Sequence, residues 1–222
     1  MYTLVYLILL LVAGSGAQDN NDAKALLQKA ESQARSVKSW RAEIVETGQV
    51  SGNGMDLQDR VHVKIAAQAP LKMRRENSGD DQTILVCDGA ESFYSGDGHN
   101  YYRNSAKINQ DCDFPLGSSY QLGKDPVSVS IVGHDHVGLA DGNHGCDVVR
   151  AEWKVAAGGS VRTMCIDPTS GLILRDVTEI NSESMRSVRT ATFTSYESNP
   201  TFPPDTFKFS IPQGAVEAKP PI

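Results

Sequence analysis

Three histidines stand close together in this chain: His134 and His136 flank Asp135, and His144 follows shortly after. In an extended strand, residues 134 and 136 share a face, which can bring two imidazoles to one ion. The same residues read equally as a solvated edge or turn between Val132 and Val137, because no fixed ligand template is met. Asp141-Gly142-Asn143 and Asp147 offer oxygen donors, but the calcium-loop pattern fails and a polar loop is the better reading. Catalytic signatures are missing: there is no Gly-x-Ser-x-Gly elbow, His-Glu-x-x-His pair or phosphate-binding Gly-rich loop. Asp80-Asp81 lies in a turn, where solvation explains paired carboxylates. Tyr101-Tyr102 could stack on a ligand, but adjacent strand residues face opposite ways. Trp40 and Trp153 read as core residues. The expectation is a protein that is not an enzyme and holds no metal or cofactor.

Residues 1–17 contain an apolar run, Leu4 to Ala13, followed by small residues at Ser15 and Ala17. That is the pattern of a signal peptide cleaved near Ala17, although the basic n-region is missing. A membrane anchor is the alternative, but the run is short for about 30 Å of hydrocarbon. Export places Cys87, Cys112, Cys146 and Cys165 in an oxidising compartment such as the periplasm. Four cysteines allow three pairings. If Gly158-Gly159 centres a turn, Cys165 lies opposite Glu152 and roughly 20 Å from Cys146, so a 146–165 bridge is the least attractive choice. Four buried thiols are the other reading. A net charge of −6 over 222 residues argues against nucleic acid or an anionic membrane as partner.

The elements that must position these groups are mostly strands. Asp22 is placed to cap a helix whose apolar side is Ala23, Leu26, Leu27, Ala30, Ala34 and Val37. Strands follow at 40–49 and 57–67, separated by the turn Ser51-Gly52-Asn53-Gly54, then at 71–76 after Pro70. Residues 104–126 form a long polar excursion of the kind used for lids and binding loops. Strands resume at 127–132, 148–155, 161–167, 172–179 and 187–196, with a last one at 207–209. One helix and about ten strands make an antiparallel sheet large enough to curl. The domain reading is a leader (1–17), one domain (18–214) and a free tail (215–222).

Residues 82–103 organise the sheet. Asp88-Gly89 and Asp97-Gly98 each suit a two-residue hairpin turn with positive φ. Those turns pair Ile84 with Phe93 and Phe93 with Tyr102. A turn at Ser78-Gly79 pairs Met73 with Ile84 and Leu71 with Val86. Leu71, Met73, Ile84, Val86, Phe93 and Tyr102 then line one face, which Val61, Val63 and Ile65 extend by alternation. These nine residues are the candidate lipid-binding surface, with a filled core beneath the helix as the alternative.

The stretch Asp81 to Gly89 followed by Phe93-Tyr94 resembles the LolA family of lipoprotein carriers. The helix, the long strand 40–49, the Pro70 strand and the hairpin 84–94 stand in the family's order. Phe207-Lys208-Phe209-Ser210-Ile211-Pro212-Gln213-Gly214 looks like its closing segment. Ala69 stands where the proteobacterial carriers have an arginine. The resemblance implies an unclosed antiparallel half-barrel with helices as a lid over an apolar concave surface. It implies a periplasmic, monomeric carrier that shields the acyl chains of lipoproteins or lipids between an inner-membrane donor and an outer-membrane acceptor. An RseB-like envelope sensor of the same fold is the alternative function.

Overall fold

A computed structural model of the chain describes residues 15–80, 82–96, 98–112, 126–155 and 158–219. Most of the expected leader, Asp81, Asp97 and the greater part of the 104–126 excursion therefore lie outside the described residues. Helix α1 (Ser15–Ser36) is followed by β1 (Ser39–Gly52), β2 (Met55–Gln68), β3 (Lys72–Gly79), β4 (Thr83–Asp88), β5 (Glu91–Ser95) and β6 (Asn100–Ser105). A 3-10 turn at Gln110–Cys112 precedes β7 (Ser128–Leu139), β8 (Gly142–Val155), β9 (Gly158–Ile166), β10 (Ile173–Asn181), β11 (Met185–Ser198) and β12 (Val216–Ala218). All twelve strands belong to one sheet in the order β12-β6-β5-β4-β3-β2-β1-β11-β10-β9-β8-β7. It is antiparallel except for β12 on β6. The unclosed half-barrel expected from the sequence is the architecture observed.

Local chemistry explains the long central hairpin. Gly52 pairs with Met55, leaving Asn53-Gly54 as the loop. Both loop residues have positive φ (50° and 78°), as a type I′ turn requires. The helix starts earlier than expected, so Asp22 lies inside α1 rather than capping it. Four of the six residues of its expected apolar stripe, Ala23, Leu26, Leu27 and Ala30, pack with Val129, Val149, Ala151, Met164, Ile166 and Ile173, whereas Val37 lies past the end of the helix and joins a different cluster.

Several registers differ from expectation. The β3–β4 pairing sets Met73 against Cys87 and Arg74 against Val86. The strand continues through Ser78-Gly79, and the odd-numbered slip turns β4 over relative to β3. At β4–β5, Asp88 Oδ1 accepts from the Ala90 and Glu91 N–H groups (both 2.8 Å). That moves the loop one residue along and pairs Val86 with Phe93. At β5–β6, Tyr94 rather than Phe93 faces Tyr102.

The stretch expected to be a polar loop at 133–147 is instead the β7–β8 hairpin, which turns at Ala140-Asp141. Residues 207–209 form no strand; they cross the outer face of the sheet. Phe209 stacks on Phe93 (centroids 5.0 Å apart) and lies 5.6 Å from Tyr101, and Arg74 donates to the Lys208 carbonyl. The expected free tail contributes β12, and the Tyr101 hydroxyl bonds Glu217.

The disulfides are Cys87–Cys112 and Cys146–Cys165. The second corrects the pairing disfavoured above. Val155 pairs with Gly158 and Lys154 with Gly159, so the glycine pair lies within β9 instead of centring a turn. Cys165 then faces Val148, and its Cα lies 5.3 Å from that of Cys146. Two stable bridges accord with an exported protein.

Candidate functional site

Cross-strand pairing defines the inner face row by row. One row is Met73–Ala67–Trp40; the next holds Arg75, Ile65, Ala42 and Tyr196; the next holds Val63, Ile44 and Phe193. All of these except Arg75 and Tyr196 belong to an apolar cluster with Leu85 and Cys87, against which Leu71 and Tyr196 pack. Trp40 stacks on Tyr196 (centroids 6.4 Å apart), and Phe193 meets the same ring edge-on at 6.0 Å. Burial raises the Tyr196 phenol above its ordinary value.

Among the described residues no second sheet covers this cluster. Val37, just past the end of α1, packs over it together with Ala106 and Cys112 from the segment after β6. That segment is bonded to the sheet through Cys87–Cys112, whose two residues are fully buried. Each half of the inner face thus has its own cover: α1 over β7–β10, and the 106–112 segment over β1–β4.

Of the candidate lipid-binding residues, Val61, Val63, Ile65 and Met73 lie in the inner cluster, with Leu71 at its rim. Tyr102 is on the same face through its pairing with Tyr94, which carries it with Leu85 and Cys87. Ile84, Val86 and Phe93 are not; the β3–β4 slip puts them on the outer face. Val86 is fully buried between Arg74 and Phe93, the two residues that the C-terminal segment touches. The residues missed are Trp40, Ala42, Ile44, Leu85, Phe193 and Tyr196. The first three alternate along β1 as plainly as the recognised residues of β2. Phe193 and Tyr196 are disguised by a bulge: Glu43 pairs with Ser195 and Ile44 with Phe193, so Thr194 is extra and alternation breaks.

A polar belt crosses the inner face next to this cluster. Glu46 accepts two bonds from Arg75 Nη2 (2.9 and 3.1 Å) and a third from Arg189. Further along the same rows Arg162 pairs with Asp176.

The histidines form a separate cleft of about 540 Å³ at the end of the sheet where β7 turns into β8. His134 Nδ1 lies 2.7 Å from Asp147 and His144 Nε2 lies 2.9 Å from Asp141. The His144 hydrogen bond holds the Asp141 carboxyl below its ordinary value, and the Arg175 bond does the same for Asp135. Burial pushes Asp167 upward, but bonds from the Ser170 hydroxyl and the Thr169 and Ser170 N–H groups outweigh it and leave it low. His134 and His144 thus each have their own carboxylate. Among the described residues no three His, Cys, Asp or Glu side chains converge as a metal set.

No family model matches the chain, and no curated protein does. Among solved structures it is similar to MucB, with 16% identity, a TM-score of 0.46, and 86% of this chain and 64% of that one covered. It spans a comparable 61% of the matched chain in the complex of Pseudomonas aeruginosa MucA and MucB, at 16% identity and a TM-score of 0.41, with 85% of this chain covered. It is also similar to a LolA superfamily protein from Nitrosomonas europaea (9% identity, TM-score 0.39, 84% and 97% covered). The Mycobacterium tuberculosis lipoprotein LppX is a further neighbour (12%, 0.34, 81% and 98%).

Proposed function

We propose that this protein is a non-enzymatic periplasmic carrier that shields the acyl chains of lipoproteins or lipids on the inner face of its sheet. The observation that supports this reading is the way that face is covered. An apolar floor running from Met73 through Trp40 to Phe193 lies beneath a short segment bonded to the sheet by one disulfide. Each methylene kept from water is worth roughly 0.8 kcal/mol, so a floor of this kind holds acyl chains without covalent chemistry. Release needs a cover that can lift while the sheet stays intact, and residues 107–112, past the last β5–β6 bond from the Ala106 N–H to the Ala90 carbonyl, can do that.

Native mass spectrometry of protein purified from its own envelope tests the proposal. Co-purified acyl species support it. A bare protein bound to a polypeptide instead marks the RseB-like sensor. Met73, on the inner face and 4% exposed, supplies the matching variant. Met73→Asp buries an unpaired charge beneath the lid and should abolish acyl retention. Full retention by a folded Met73→Asp protein overturns the assignment of this face.

A further inference from the structure

The inner face does not end at the polar belt. Beyond Asp59, Gly48, Arg189 and Thr178, which share one cross-strand row, the next row is Leu57–Val50–Ser187–Ile180. The row after it, at the tips of the two hairpins, is Met55–Gly52–Met185. Leu57 (60% exposed), Met55 (48%), Ile180 (44%) and Met185 (38%) are therefore not scattered apolar residues. They form one contiguous patch on two adjoining hairpins, and contiguity is what marks an interaction surface.

The two tips are held side by side. Gly52 has φ +127°, and a Cβ there would come within 2.2 Å of the Ser184 carbonyl oxygen. Only glycine lets the β1–β2 tip approach the β10–β11 tip this closely. On the other side the β1–β2 hairpin overhangs its neighbour, because β3 stops at Gly79 opposite Val61. The patch is thus a projecting edge, at the end of the sheet opposite the histidine cleft.

We infer that this edge docks on the surface of a zwitterionic lipid bilayer, inserting the Met55, Leu57, Ile180 and Met185 side chains between headgroups. Depth is the first argument. The two apolar rows stand roughly 7 Å apart, and the polar row of Asp59 and Arg189 lies roughly another 7 Å behind them. Helices that lie in the interface bury their apolar face about 5–10 Å, to the boundary between headgroups and acyl chains. Charge is the second. Residues 53–60 and 179–187 carry four carboxylates (Asp56, Asp59, Glu179, Glu183) against two guanidiniums (Arg60, Arg186). An acidic flank is repelled by anionic lipid and fits a surface without net charge. The third is position: the edge lies on the same face as the apolar floor, beyond the polar belt, so docking there turns that face toward the membrane. This direction of travel rests on the carrier reading; the docking itself does not.

The test is flotation of protein purified from its own envelope with phosphatidylcholine vesicles, and separately with vesicles containing phosphatidylglycerol. Wild type should float with phosphatidylcholine at both low and high salt. Leu57→Glu and Met185→Glu, both at exposed positions and checked for an unchanged melting temperature, should each weaken binding at least about tenfold, the cost of placing a charge in the apolar region. No binding to phosphatidylcholine, binding only to the anionic vesicles, or unchanged binding by both variants overturns the proposal. So does a wild-type dimer in light scattering that the variants lose, which assigns the edge to a second copy of the chain. Acyl retention measured on the same variants separates the two ideas. Lost docking with cargo retained overturns the edge alone, and absent cargo with docking intact overturns the carrier alone.

Discussion

Removing the Cys87–Cys112 bridge distinguishes a lid from a staple. The two disulfides close loops of similar length, with separations of 25 and 19 residues. Restriction of the unfolded chain then contributes about 3.5 kcal/mol for the first and about 3.2 kcal/mol for the second at 25 °C. In a domain of this size either loss lowers the melting temperature by about 10 °C. The alanine pairs Cys87→Ala/Cys112→Ala and Cys146→Ala/Cys165→Ala should therefore be nearly matched in stability. Their positions differ. Cys87 is in the floor of the inner cluster and Cys112 is in its cover, whereas Cys146 and Cys165 pack with Val137 and Leu174 in a third cluster. Transfer of a fluorescent acyl chain from loaded protein to acceptor vesicles reads the difference. The first pair should release at least about tenfold faster than wild type, equivalent to about 1.4 kcal/mol of lost lid closure, and the second should release at the wild-type rate. Because the two variants lose the same stability, general loosening speeds both alike. Equal release rates in the two variants refute the assignment of the 106–112 segment as a lid.

Phe209→Ala removes the stacking on Phe93 and Tyr101 and should cost about 1–2 kcal/mol in urea unfolding. Acyl retention should be unchanged, since all three rings are on the outer face. Stability should also depend on pH at both extremes. The Asp135, Asp141 and Asp167 carboxyls are held low, so the folded state binds their protons more weakly than the unfolded chain does. Their contribution is complete above the ordinary carboxylate range, near pH 4, and is lost as pH falls through their lowered values. Tyr196 is raised, so its contribution is complete below about pH 10 and is lost as pH rises beyond it. Urea midpoints across pH should show a plateau that falls on both sides, and Tyr196→Phe should flatten the alkaline fall.

The parts of the fold legible in the sequence were those with a single local determinant. Asn53-Gly54 fixes the β1–β2 hairpin, and the alternation of Val61, Val63 and Ile65 then assigns its inner face. The α1 stripe is equally plain, because a helix period needs no partner to be read. Registers between strands are another matter. Gly79 and Gly159 suggest turn centres but lie in strands, where they pair with Val61 and Asn181. A glycine marks where a turn is permitted, and the hydrogen bonds decide where it forms. At Asp88 the side chain captures two N–H groups and moves the loop by a residue, an effect with no period to betray it. The β7–β8 hairpin escaped because glycines and polar residues at 133–147 hide the remaining alternation of Val137 and Leu139. Its pairing is nevertheless what brings His134 to Asp147.

The split of the proposed lipid surface follows from a sheet that is apolar on both sides. In an ordinary half-exposed sheet a register error places apolar side chains in water, so polarity alone exposes the mistake. Here Val86 and Phe93 are covered by the chain's own C-terminal segment, and Leu85 and Cys87 by the inner lid. Either assignment of β4 satisfies the pattern. The two covers differ in what holds them. The outer one is anchored along its length, by ring stacking at Phe209, the Arg74 bond to Lys208 and the β12 pairing with β6. Among the described residues the inner one is held by the Cys87–Cys112 bridge and by the Ala106 N–H bond to the Ala90 carbonyl. A face sealed at many places is structure, and a face sealed at few can open. That asymmetry, which no count of apolar residues contains, is the reason to place the cargo on the side of Met73 and Leu85 rather than on that of Val86.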